Sequence, residues 1–274
     1  MSKIYILVVL YKKQITESDT LMSLQVSQKP NINCELIIWD NSPYKQDFEQ
    51  VAILSNTLEP WHLSYRWDGK NHYLSQIYNT VISECDDDSI LIILDHDSKL
   101  PANYLKYIEN ITMSSETSNV NLFLPIVFSH DKIVSPAYET KFRHKLWENK
   151  KIGIISSENL TAINSGMVIR SKYLKGLFPG YNEKLRFYET DNDFMRKYRL
   201  QNESAFIMDL CINHSLNFIE DDVASKISRF QAMKEGRLIV AKEYGKSQYF
   251  IERLRFAYLA IKYAITYKSF SFFR

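Results

Sequence analysis

Three apolar runs of strand length fill the first third of the chain, each closed by polar turn residues. They are KIYILVVLYKK (Lys3 to Lys13), CELIIWDNSP (Cys34 to Pro43) and SILIILDHD (Ser89 to Asp97). All three are dense in β-branched and aromatic residues, the composition of a buried strand. Helical periodicity follows them. TLMSLQVSQ reads as a short helix, YLSQIYNTVISEC puts Leu74, Ile77, Tyr78, Val81 and Ile82 on one helical face, and ANYLKYIENIT reads as the next helix. Strands alternating with helices predict βαβ units and an α/β fold with a mostly parallel central sheet. The strands of such a sheet are covered on both faces, which is why these runs are continuous rather than alternating.

Farther along, NLFLPIVF predicts another strand, and residues 129 to 160 are polar and carry no clear period. Asn164-Ser165-Gly166 leads into a short apolar strand, and Phe178 to Tyr181 is a turn. Thr190 or Asp191 is placed to N-cap a helix carrying Phe194, Met195 and Tyr198, and SAFIMDLCINH is a last strand ending near His214. With 45% hydrophobic residues in 274, the chain can bury one large domain, or one domain plus an extension. Gly and Pro number only 7 each, which excludes collagen-like and low-complexity classes. Cys34, Cys85 and Cys211 are odd in number with no CxxC spacing, so reduced thiols are expected rather than a zinc ribbon or disulfide framework. The N-terminal apolar run lacks a small-residue cleavage site, and no stretch reaches the ~20 apolar residues of a membrane span. No P-loop, GxGxxG or Ser-His-Asp arrangement is present.

In an open α/β sheet, ligands bind beyond the carboxyl ends of the strands. Asp40 and the Asp95-His96-Asp97 segment both occupy such ends. Two carboxylates one residue apart suit a divalent cation that also meets substrate phosphates; the plain alternative is a solvated turn. Alternation along a strand would turn His96 away from both aspartates and into packing. His214 can join as an imidazole ligand, which favours Mn²⁺ over Mg²⁺, or serve as a structural hydrogen-bonder. Asp191 is either an ordinary helix-start carboxylate or a general base for an acceptor hydroxyl. Asp193 and Arg196 are spaced to pair on the helix surface. Asp40-Asn41 can receive the N–H of a nucleotide base or form an Asx-turn, and Asn71 and Asn79 are weaker candidates.

These pieces, in this order, resemble the family 2 glycosyltransferases of GT-A fold, in particular rhamnosyltransferase-like enzymes of bacterial surface polysaccharide synthesis. Over residues 3 to 217 the resemblance rests on VVLYKK with Tyr11, on WDNS with Asp40 and Asn41, and on NHYLSQIYN from Asn71 to Asn79. It continues with the DxD-type DHD, NSGMVI with Gly166, GYNEKLRFYETDNDFMRK, and a later histidine, His214. Two positions depart from the family pattern: Tyr73 stands where glycine is usual, and Thr190 replaces the glutamate of a Glu-Asp pair. The resemblance implies a catalytic domain over residues 1–217 and a helical extension over 218–274. It implies a dTDP- or UDP-linked sugar donor contacted by Tyr11, Asp40, Asn41, Asn71, Asn79, Asp95 and Gly166. It further implies Mg²⁺ or Mn²⁺ held by Asp95, Asp97 and His214, with Asp191 as the base of an inverting transfer to a glycan acceptor, lipid-linked in the resembling proteins.

The charge is divided between the two parts. Val223 to Arg274 holds 11 Lys/Arg against 3 Asp/Glu, a net of +8, while the first 222 residues hold 23 against 29, a net of −6. The tail predicts two helices, about Val223 to Tyr244 and Gln248 to Tyr267. In the second, Phe250, Leu254, Ala257, Tyr258, Ile261 and Ile265 make one stripe flanked by Lys, Arg and Tyr. Such a stripe suits an anionic membrane surface, the protein's own body, or the second subunit of a homodimer. The expected location is cytoplasmic, peripheral on the inner face of a bacterial plasma membrane. Nucleic acid fits poorly, because the body is acidic and no recognition motif is present. Two rivals stay open: a haloacid-dehalogenase-type phosphatase or phosphotransferase, which would use Asp95 as nucleophile, and a non-catalytic sugar-nucleotide-binding assembly subunit.

Overall fold

The computed structural model describes residues 3–139, 144–214 and 222–273. The N-terminal half runs β1 (Lys3–Leu10), α1 (Asp19–Gln25), β2 (Asn33–Asp40), α2 (Phe48–Leu58), β3 (His62–Arg66), α3 (Leu74–Glu84), β4 (Ser89–Asp95), β5 (Ser98–Lys99) and α4 (Tyr104–Met113). Then follow β6 (Leu122–Ser129), β7 (Lys132–Ser135), β8 (Ala137–Glu139), β9 (His144–Leu146), β10 (Gly153–Ser156), β11 (Leu160–Thr161) and β12 (Met167–Arg170). The chain continues through α5 (Ser171–Gly176), α6 (Thr190–Arg199), β13 (Ser204–His214), α7 (Val223–Glu243) and α8 (Lys246–Tyr267).

The central sheet has the order β10-β13-β6-β12-β4-β1-β2-β3. β4, β1, β2 and β3 are mutually parallel, as the alternation of strands and helices predicts. Their side chains alternate between two cores. Tyr5, Leu7, Val9, Leu91 and Ile93 pack on one face, and Ile4, Ile6, Val8, Ile90, Ile92 and Leu94 on the other. Each such side chain, fully buried, contributes about 1.5–3 kcal/mol. β12 enters antiparallel between β4 and β6, so the sheet is mixed rather than wholly parallel. β6 carries Pro125, which has no N–H for the ladder. Its pairing with β13 jumps there, from Leu124↔Ile207 to Ile126↔Cys211.

The segment without clear period, 129 to 160, supplies short strands. Three of the strands after β6 form a small sheet, β11-β8-β9. β9 is exposed along its whole length, so no burial pattern marks it in the sequence.

The two expected tail helices are α7 and α8, which share a small core of Phe230, Phe256, Ala260 and Phe272. The expected boundary between residues 217 and 218 lies outside the described residues. α7 is seated directly on the body. A Cβ on Gly236 would lie 2.8 Å from the Tyr188 carbonyl oxygen and 3.4 Å from Glu189 Cγ, so only glycine allows this approach. Asn182 Nδ2 also donates to Glu243 Oε1 (2.5 Å). The apolar stripe of α8 faces away from the body: Phe250, Leu254, Tyr258 and Ile261 are 50–66% exposed and Ile265 is 74% exposed. No described helix is long and apolar enough to cross a membrane.

Candidate active site

The acidic end of β4 is shaped by a short antiparallel pairing. The strand stops at Asp95, His96 and Asp97 form a turn, and β5 then pairs with the end of β13, Ser98 opposite His214 and Lys99 opposite Asn213. This register brings His214 beside Asp97. His96 sits in the turn rather than on a strand, and its carbonyl accepts from Ser18 Oγ (2.8 Å) and the Thr20 N–H (3.3 Å). Thr20 Oγ1 accepts from the Ser98 N–H (3.0 Å) and donates to the Asp95 carbonyl. Ser165 Oγ accepts from the Asp95 N–H (3.0 Å) and lies 2.8 Å from Ser98 Oγ. Four small hydroxyl residues, Ser18, Thr20, Ser98 and Ser165, thus fix the turn. Sequence reasoning missed them because isolated Ser and Thr carry no periodic signal.

Asp95, Asp97 and His214 offer ligand atoms that all lie within 4.8 Å of one another. Asp97 Oδ1 lies 3.2 Å from His214 Nδ1, outside hydrogen-bond geometry, and this buried oxygen accepts no hydrogen bond. Ser98 Oγ lies 3.3 Å from the same Nδ1. Burial pushes the Asp95 carboxyl above the usual range; the neighbouring His214 opposes the shift and Asp97 adds to it. A buried, orphaned carboxylate oxygen among two acids and an imidazole fits a divalent cation, and the nitrogen donor favours Mn²⁺ over Mg²⁺.

Asp191 is near enough to Asp95 to feel its charge. Burial and then the Glu189 carboxylate push it up to about 7, against the Asn192 N–H that it accepts (2.8 Å), with the charge of Asp95 adding to the rise. Burial pushes the Tyr78 hydroxyl well above its usual range, and the charges of Asp95 and Asp191 add to the rise. Neither Thr190 nor Asp191 caps α6. The N-cap residue is Glu189, held at φ 71° without a side-chain cap. Its carboxylate accepts from Arg237 of α7 (2.9 Å). Thr190 is buried and accepts from Asn164 Nδ2 (3.0 Å). Asp193 pairs with Lys197 (2.7 Å) and accepts from the Asn182 N–H rather than pairing with Arg196, which meets Glu139.

The remaining candidates line the ends of β1 and β2 or brace the loops around them. Asp40 is 1% exposed. Its carboxylate accepts from the Ser42 N–H (3.0 Å), Gln46 Nε2 (3.2 Å) and the Tyr65 hydroxyl (2.7 Å), which is the Asx-turn geometry. Asn41 donates to Asn71 Oδ1 (3.0 Å) and the His72 carbonyl (2.9 Å), and accepts from the His72 N–H (2.9 Å). Asn79 donates to the Tyr181 carbonyl (2.9 Å) and accepts from the Tyr181 N–H (2.8 Å). Asn41 and Asn79 are therefore clamps on backbone, and Asn71 is bound into the first of them. Gly166 has φ 88°, and a Cβ there would lie 2.6 Å from Pro125 and 2.7 Å from Ile212, so glycine is required by backbone shape and packing. Tyr73 adopts φ −68° at the start of α3, a conformation that needs no glycine. Tyr11 is 39% exposed. Near it Lys12 N–H donates to Ser42 Oγ (2.8 Å), and Trp67 Nε1 donates to the Ser42 carbonyl (3.0 Å). Trp67, half-exposed beside the Asp40 turn, is a further aromatic candidate that the sequence motifs did not single out.

No protein-family model matches the chain, and no curated protein matches it. Solved structures do share its fold. The crystal structure of S. aureus TarS 1-349 superposes with a TM-score of 0.56 at 14% identity, over 93% of this chain and 72% of that one. The same protein in complex with UDP-GlcNAc gives 0.56 at 14%, over 86% and 66%. GalNAc-T7 with UDP, GalNAc and Mn²⁺ gives 0.54 at 13%, over 100% and 56%. At such identities the likeness shows the fold alone: a GT-A glycosyltransferase fold with C-terminal helices.

Proposed function

We propose that this chain is a metal-dependent, inverting glycosyltransferase of the family 2, rhamnosyltransferase-like kind. It moves a sugar from a UDP- or dTDP-linked donor to a hydroxyl of a glycan acceptor, lipid-linked, in bacterial surface polysaccharide synthesis. The observation that carries the reading is the Asp95/Asp97/His214 cluster, with its orphaned Asp97 oxygen, and Asp191 within reach of the Asp95 charge. The fold likeness to structures that hold UDP, UDP-GlcNAc and Mn²⁺ supports it.

Each residue then has a role. Asp97, His214 and Asp95 hold the divalent cation, which when bound supplies positive charge to the departing diphosphate. Tyr11 and Trp67 offer ring faces to the base, over a floor built by Asp40 and Asn41. Asn71, Asn79 and Gly166 keep the surrounding loops in register. Asp191 takes the proton of the acceptor hydroxyl as its oxygen bonds to the anomeric carbon and the bond from that carbon to the diphosphate breaks. An acid tuned to about 7 is well matched to such a base near neutral pH. The outward stripe of α8, with Arg253 and Lys262 at its margins, supports peripheral contact with an anionic membrane.

Asp191→Asn tests the reading. It should leave nucleotide-sugar binding within about twofold while transfer falls by roughly 10²-fold or more. Transfer at an undiminished rate would reduce Asp191 to a helix-start carboxylate.

A further inference from the structure

Asn164 links the turn at the end of β4 to the residue before Asp191. Its chain neighbour Ser165 accepts the Asp95 N–H (3.0 Å). Its own Nδ2 donates to Thr190 Oγ1 (3.0 Å). Asn164 is 7% exposed, and its Oδ1 is buried without a hydrogen-bond partner. We propose that this oxygen accepts a hydroxyl of the sugar being transferred and so helps to select the donor.

The neighbours fix which way the amide faces. The Thr190 hydroxyl has one proton, which the Phe187 carbonyl accepts (3.3 Å), so toward Asn164 it can only accept. The same amide, by hydrogen bonding, opposes the rise of the Tyr78 hydroxyl, which is how a donor acts. Both contacts use the nitrogen end and leave the oxygen over. Thr190, a departure from the family pattern, thereby gains a task. A buried acceptor without a donor is desolvated without compensation. It can take an O–H or N–H, and an ionised phosphate or carboxylate has no proton to give it. Sugar hydroxyls fit. Their placement here rests on the glycosyl-transfer reading. With the diphosphate at Asp95, Asp97 and His214 and the acceptor hydroxyl at Asp191, the transferred ring lies between them, as Asn164 does.

Calorimetric titration of the full chain with Mn²⁺ tests this, using UDP-GlcNAc, UDP-glucose and dTDP-rhamnose, each beside its parent UDP or dTDP. The readout is the affinity of the best-bound nucleotide sugar relative to its parent. Asn164→Ala should lower that ratio by roughly tenfold or more, while the parent binds within about twofold of the wild type. Thr190→Val, which frees the amide to turn, should lower the ratio too, and Thr190→Ser, which keeps the hydroxyl, should hold it within about twofold. If Asn164→Ala does not fold, the two Thr190 variants decide. An unchanged ratio would assign Oδ1 to an ordered water, and equal losses for sugar and parent would assign Asn164 to packing; either overturns the proposal. The two readings fail separately. A wild type that binds and transfers a sugar, with the Asn164→Ala ratio unchanged, loses only this inference. A wild type that binds none of the three nucleotide sugars loses both.

Discussion

Asp191 carries the conflict between stability and chemistry at the scale of single residues. Its carboxyl is raised from 3.8 to about 7, so the folded protein holds a proton that the unfolded chain releases. The stability tied to that proton is present below pH 4 and is lost as pH rises through about 7. Asp191→Asn removes the ionisation. Its melting temperature should exceed that of the wild type by an amount that grows between pH 5 and pH 8, worth up to a few kcal/mol. A gain independent of pH would show that Asp191 is not strained by its charge. The residue itself was singled out in the sequence by its place at the start of a predicted helix within GYNEKLRFYETDNDFMRK. Its tuning was not, because burial, the largest cause of the rise, and the approach of Asp95 arise only in the fold. The asparagines were legible only as residues of interest. A motif cannot tell an amide that meets a ligand from one that clamps backbone, and Asn79 bonds both backbone groups of Tyr181.

Among elements, the start of α6 depends on α7. Gly236 touches the backbone of Tyr188, and Arg237 neutralises Glu189 and lies 3.4 Å from Glu252, which is fully buried. Gly236→Ala should gain up to about 1 kcal/mol of helix propensity, yet force its Cβ against a backbone oxygen, at about 1–3 kcal/mol. The clash is expected to win, and transfer should fall together with stability because the segment that yields leads into Asp191. A more stable, fully active variant would show that α7 does not brace the base. Arg237→Ala removes an ion-pair partner from the half-buried Glu189 and from the fully buried Glu252, which keeps only Arg255 at 3.5 Å, and should cost about 1–3 kcal/mol, read by chemical denaturation. At this scale the apolar runs made β1, β2 and β4 readable, and the tail helices fall within two residues of their expected bounds. β5 and β9 were not readable, since strands of two or three residues have no period. The β5–β13 register that delivers His214 to Asp97 is a long-range pairing that no local pattern encodes.

At the scale of the whole molecule, parallel pairing brings the ends of β2 and β4, with Asp40 and Asp95, to one end of the sheet, and α7 and α8 carry the basic, aromatic tail. The exposed stripe of α8 predicts sedimentation with vesicles containing phosphatidylglycerol. Leu254→Glu with Ile261→Glu should abolish it while changing stability by no more than about 0.5 kcal/mol per site, because both positions are exposed. Unchanged sedimentation would assign the stripe to protein contact. The central claim is that Asp95, Asp97 and His214 hold the cation that makes the donor site. It is tested most directly by calorimetric titration of UDP-GlcNAc into the wild type and Asp97→Ala, with Mn²⁺ and with EDTA. The wild type should bind with Mn²⁺ and lose at least roughly tenfold in affinity in EDTA, and Asp97→Ala should bind as weakly in either condition. Tight binding that ignores both EDTA and the substitution would contradict the claim.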